Sequence, residues 1–141
     1  MTGALNRIAR CSPRVKVALL IPVVVALGFA CKAYPGPGRD WINHWGPASV
    51  AYVWFFMLAV FFIVPQPSLA MPIAGCVVLA TCLVEFSQWG NPEILKPIRQ
   101  TGWGKLLLGT TFSWWDFPAY LFGGLTGILL LVWCGGRAAE S

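Results

Sequence analysis

Four apolar stretches, at approximately 15–33, 48–65, 69–88 and 116–134, set the terms for everything else in this chain. An α-helix rises about 1.5 Å per residue, so about 17 to 25 apolar residues cross the hydrocarbon core of a bilayer. Each stretch has that length and carries very little charge. The pattern predicts an all-α membrane protein, a bundle of four transmembrane helices formed by residues 1–141 as a single integral membrane domain, with no internal repeat and no dividing linker.

Composition agrees. Of 141 residues, 57% are hydrophobic and 14% aromatic, against ten Lys and Arg and five Asp and Glu. A soluble globule of this size needs a charged coat, and here the charges are confined to the ends and the connecting segments. The basic excess does not point to nucleic acid, because no basic stripe is interleaved with stacking aromatics; basic flanks of membrane helices account for it. The cysteines, Cys11, Cys31, Cys76, Cys82 and Cys134, have no CxxC spacing and read as small apolar packing residues.

The first stretch follows Arg7, Arg10, Arg14 and Lys16, which also fits the basic and apolar regions of a signal peptide. GFAC, ending at Cys31, is a poor lipoprotein cleavage site, with Gly at position 28 and Lys32 after the cysteine. The stretch is therefore expected to remain as a helix. Pro22 and Pro72 each kink a helix or mark its first turn. VPQPSLAMP (64–72) reads as a tight hairpin between antiparallel neighbours.

Four alternating spans place the two long connections, 34–47 and 89–115, on one side and the hairpin and both termini on the other. Trp41, Trp45, Trp89, Trp103, Trp114 and Trp115 all fall on the loop side, partly as an interfacial aromatic belt. KLLLG within the longer connection is too short to span and belongs at the interface or against the bundle. Basic residues divide five and five between the sides, so charge alone does not orient the chain. Four of them precede the first helix, which usually dominates, and this predicts cytoplasmic termini.

Polar residues cluster at the loop side of the last two helices. Glu85 and Gln88, three apart, share a helical face. A carboxylate at mid-span costs about 2.5 to 3.5 kcal/mol on insertion scales, less near an interface, and still needs a partner or water. Ser113 and Asp116 have the spacing of a capping box, and Asp116 in a first turn suits the positive end of the helix dipole. Tyr120 lies one turn further along the same face. Arg99, with Lys96 and Lys105 nearby, is the expected cationic partner of Glu85 or Asp116, since its planar fork binds a carboxylate through two bonds. Two readings stay open: a clamp that folds the long loop over the helix ends, or a site whose charges await a ligand headgroup. Gly123 and Gly127 form a GxxxG, used either for close packing inside the bundle or for a homo-oligomer.

No metal site is expected from the lone His44, which has no Cys or Glu at ligand spacing, and no cofactor or catalytic fingerprint occurs.

The pattern E-F-S-Q, then IRQTGWGKLLLG, then F-S-W-W-D-F-P-A-Y-L-F-G, resembles the small bacterial membrane proteins of domain-of-unknown-function family 2809, which are similar to VanZ-like proteins. The resemblance rests on Glu85, Gln88, Arg99, Gly109, Phe112, Asp116, Tyr120 and Gly123, mainly within residues 83–127. It departs at Gly46-Pro47, where a Gly-Asp pair is expected. It implies a four- or five-helix protein of the bacterial inner membrane and no reaction.

The function expected is that of a non-enzymatic envelope protein. It would bind a lipid or amphiphile headgroup, or a partner protein, through Glu85, Gln88, Arg99, Asp116 and Tyr120. The alternative is a membrane enzyme using Glu85 and Asp116 as acid and base on a headgroup or polyprenyl substrate. A small transporter fits less well, because no charge stands at mid-span.

Overall fold

Prolines open the bundle's first two helices. Pro13 and Pro47 occupy the first turns of α1 (Pro13–Ala33) and α2 (Pro47–Ile63), where the missing N–H is one that no helical carbonyl would accept. Two further long helices, α3 (Ala70–Trp89) and α5 (Asp116–Gly135), follow, with a short α4 (Lys96–Gln100) between them. This computed structural model describes residues 11–42, 46–89, 96–102, 104 and 112–136, with the side chain of Arg99 outside that set. Arg7, Arg10, His44, Trp45, Glu93, Trp103, Lys105, Gly109, Arg137 and the KLLLG segment lie outside the described residues.

The helices fall within one or two residues of the expected stretches, and the differences have local causes. α2 stops at Ile63 rather than 65, because Pro65 disfavours helical geometry at Val64, which turns to φ −123 and ψ 83. The hairpin then makes a 3₁₀ turn at Pro67–Leu69, and Pro72 enters in the first turn of α3. Pro22 sits inside α1. In the connection after α1, Gly38 takes φ +73, a left-handed conformation that glycine adopts without steric cost.

α2 and α5 form the central pair; α1 packs chiefly on α2, and α3 lies against both central helices. The core is built from Val17 and Val24 of α1, Val53, Met57, Leu58 and Phe61 of α2, Ile73 and Val77 of α3, and Leu131 and Cys134 of α5. The outward faces are apolar too: Leu19 and Val23 on α1, Leu79 and Leu83 on α3, Leu121, Leu125 and Leu129 on α5. A helix that is hydrophobic all round belongs in lipid or in the core of a much larger protein. Three helical segments, Pro13–Ala33, Pro67–Trp89 and Asp116–Gly135, are long and apolar enough to cross a membrane, and Pro47–Ile63 is a shorter apolar helix. The fold is an all-α membrane bundle.

Lipid tails are as apolar as leucine, so helices inside a bilayer are held by close packing and interhelical hydrogen bonds rather than by hydrophobic burial. Both devices converge on α5. A Cβ on Gly123 would stand 3.2 Å from Val53 Cβ and 3.4 Å from the Val50 Cα, so the α2 backbone comes directly against this glycine. A Cβ on Gly127 would meet Met57 Sδ at 2.5 Å, and one on Gly124 would meet Val78 Cγ2 of α3 at 2.6 Å. The glycine face is therefore filled within the chain, by α2 and α3. One turn along, the Trp54 indole N–H donates to the Gly123 carbonyl and to Thr126 Oγ1, each at 3.1 Å.

At the hairpin end, Lys16 departs from its expected role as a flanking charge. It is 1% exposed, donates from Nζ to the Gly136 carbonyl at 3.1 Å, and lies 5.6 Å from the Trp133 ring centroid. An ammonium at the last turn of α5 satisfies a carbonyl the helix leaves open and complements the negative end of its dipole.

Candidate functional site

The opposite end holds the polar residues. Glu85, one turn from the end of α3, is 2% exposed and hydrogen-bonded on both carboxylate oxygens. Oε1 accepts the Ser113 backbone N–H at 2.7 Å; Oε2 accepts the Tyr120 hydroxyl at 3.2 Å and Gln88 Nε2 at 3.1 Å. All three donors are neutral. Burial takes the carboxylate away from water, and these donors replace water around it.

Asp116 opens α5. Its Oδ1 accepts the Ser49 hydroxyl at 2.8 Å, a buried bond that ties the first turn of α2 to the first turn of α5. The expected capping box is corrected here: Trp115 is the N-cap residue, and no side-chain bond caps the helix. Ser113 acts through its backbone instead. Its carbonyl accepts the Asp116 N–H at 3.2 Å while its N–H goes to Glu85, so one peptide segment links the end of α3 to the start of α5. A carboxylate on a neighbouring helix thus takes the N–H that Asp116 would accept in a capping box.

Glu85, Gln88, Asp116 and Tyr120 are brought together as expected, and Glu85 and Asp116 are close enough to interact electrostatically. For Arg99, the backbone lies in α4 and the side chain is outside the described residues. Two members of the cluster were not anticipated from the sequence. Ser49 is one; the other is Tyr52, one turn along α2, within electrostatic reach of Glu85 and edge-on to Phe56 at 4.9 Å. Ser49 follows Gly46-Pro47, where an acidic residue was expected, and that pair has a local role. Pro47 starts α2, and Gly46 lets the Trp41 ring close over the backbone, 3.1 Å from where a Cβ would stand.

Above the carboxylates is a continuous set of rings. Trp89 stacks on Phe112 at 5.7 Å, Phe112 meets Trp114 edge-on at 5.0 Å, and Phe86 meets Phe117 at 5.0 Å across the α3–α5 seam. Trp89 is 65% and Trp114 60% exposed. Gln88, one residue before Trp89, donates to the carboxylate, and its Oε1 is fully shielded and accepts no hydrogen bond. Among the described residues no group of His, Cys, Asp or Glu could hold a metal ion.

A bundle of apolar helices with a buried polar cluster under an aromatic rim defines a helical membrane protein. Its family follows from the same segment: the model of the family described as "Protein of unknown function (DUF2809)" matches residues 38–124, and the chain belongs to that family. The match contains Ser49, Glu85, Gln88, Asp116 and Tyr120. No solved structure matches the chain.

Proposed function

We propose that this protein is a non-enzymatic component of the bacterial inner membrane that holds a lipid or amphiphile headgroup at its polar, aromatic end, with both termini on the cytoplasmic side. One observation carries the reading: a saturated buried carboxylate under an exposed ring cluster. With Glu85 bonded on both oxygens, it fixes the ends of α3 and α5 and thereby the rings mounted on them. A general base must instead have an oxygen within reach of the proton it removes. Tryptophan rings at the headgroup level are suited to an amphiphile, apolar on the body and polar at the N–H.

The nearness of Glu85 to Asp116 is what favours the second reading, an acid and base pair acting on a headgroup or polyprenyl substrate. Native mass spectrometry of the gently extracted full chain separates the two. Headgroup binding predicts a selectively retained, chemically unaltered lipid, reduced in Glu85→Ala. A wild-type protein that carries no selective lipid would remove the support for binding, and conversion of an added lipid that stops in Glu85→Gln would favour the enzyme.

A further inference from the structure

Resting on the headgroup reading, the geometry points to a specific headgroup chemistry: we propose that this end selects a phospholipid bearing a primary ammonium, seated against Trp89 and Trp114 with an N–H donated to Gln88.

The acyl chains have a path continuous with the lipid-facing surface. Phe86 and Phe117 meet at 5.0 Å where α3 and α5 adjoin, and below them run the exposed Leu79 and Leu83 on one helix and Leu121 and Leu125 on the other. A lipid lying along this seam brings its headgroup to the ring cluster. The exposed ring faces attract cations through their quadrupole. Behind them, Glu85 is buried, and its hydrogen-bond donors among the described residues are all neutral, so an ionised carboxylate there would act on whatever occupies the rim.

Gln88 distinguishes one cationic headgroup from another. Its Nε2 is spent on Glu85, and its Oε1 is a shielded acceptor without a donor, which is an unfavourable state for a buried carbonyl. Rotation of this part-buried side chain turns the carbonyl to the rim, where a donor from the ligand satisfies it. A primary ammonium offers such donors. A quaternary ammonium satisfies the rings but has no N–H, and an anionic headgroup meets the field of Glu85 with the wrong sign.

The test uses the full chain in nanodiscs containing equal amounts of phosphatidylethanolamine, phosphatidylcholine and phosphatidylglycerol with matched chains. Lipids still bound after re-extraction and gel filtration are quantified by mass spectrometry. Phosphatidylethanolamine is expected to exceed phosphatidylcholine by about fivefold, the factor that one hydrogen bond of ordinary net strength supplies. Gln88→Leu should bring the two lipids level, and Trp89→Ala with Trp114→Ala should lose both. Selective retention of phosphatidylglycerol or phosphatidylcholine would overturn the ammonium inference and leave headgroup binding standing. Retention in bulk proportion would overturn both. Should Gln88→Leu fail to fold, the wild-type ranking and the tryptophan variant decide the matter alone.

Discussion

Tyr120 of α5 donates its hydroxyl hydrogen to Glu85 Oε2 of α3 at 3.2 Å, in a buried position where neither residue has a neighbour of opposite charge among the described contacts. This bond belongs to a set in which α5 is joined to each of the other long helices: to α3 here, to α2 through Ser49 and Trp54, and to α1 through Lys16. In lipid, such bonds and the glycine contacts beside them are what hold the bundle.

Tyr120→Phe removes one donor and keeps the ring. Interhelical bonds in membranes contribute about 0.5 to 2 kcal/mol, and the loss should fall in that range. Glu85→Leu should cost more, about 3 kcal/mol or above, because it strands the Ser113 N–H, the Tyr120 hydroxyl and the Gln88 amide together. Unfolding in mixed detergent micelles measures both, and equal losses would contradict the description of Glu85 as a shared acceptor.

Ser49→Ala breaks the 2.8 Å bond to Asp116 and should lower stability by about 0.5 to 2 kcal/mol. Because Asp116 interacts electrostatically with both Glu85 and Tyr120, the double variant Ser49→Ala with Tyr120→Phe should depart from the sum of the singles by about 0.5 kcal/mol or more. Close additivity in the same unfolding assay would mean that the two halves of the cluster act independently.

The helices and their order were legible in the sequence because a membrane leaves few alternatives: long apolar runs must become helices, and proline marks where they start and stop. The meeting of Glu85 with Asp116 and Tyr120 was legible too, since alternating spans put them on one side. The partners were not. Ser49 is an ordinary helical serine until the fold brings it to Asp116. Lys16 resembles its flanking neighbour Arg14 until packing buries it. The Ser113 and Asp116 spacing suggests a side-chain cap, but the backbone of Ser113 went to a carboxylate from a helix that spacing cannot foresee.

The glycines of α5 should respond unequally to a single methyl group. Gly124→Ala drives Cβ to 2.6 Å from a methyl of Val78, whose branched side chain has few rotamers, and should destabilise by about 1 to 3 kcal/mol. Gly127→Ala meets the flexible end of Met57 and should cost less. Gly75→Ala, with nothing within 4 Å, is the control and should be neutral or stabilising by about 0.5 to 1 kcal/mol. Thermal unfolding of the three variants ranks them, and a Gly75 variant as damaged as Gly124→Ala would refute intrachain packing as the cause.

Lys16→Met keeps the buried stem and deletes the ammonium that serves the Gly136 carbonyl. The expected loss is about 1 to 2 kcal/mol. Hydrogen exchange should report it as faster exchange in the last turn of α5 with little change near Glu85. Uniform acceleration along α5 would show instead that Lys16 supports the whole bundle.

Whether the aromatic end holds lipid is settled most directly by photo-crosslinking. A phospholipid with a diazirine in its headgroup, incorporated with the full chain and irradiated, should label peptides containing residues 86–89 and 112–117. Labelling should saturate and be displaced by excess unlabelled lipid. Non-saturating adducts spread evenly around the bundle, with no excess at Trp89 or Trp114, would contradict a headgroup site there.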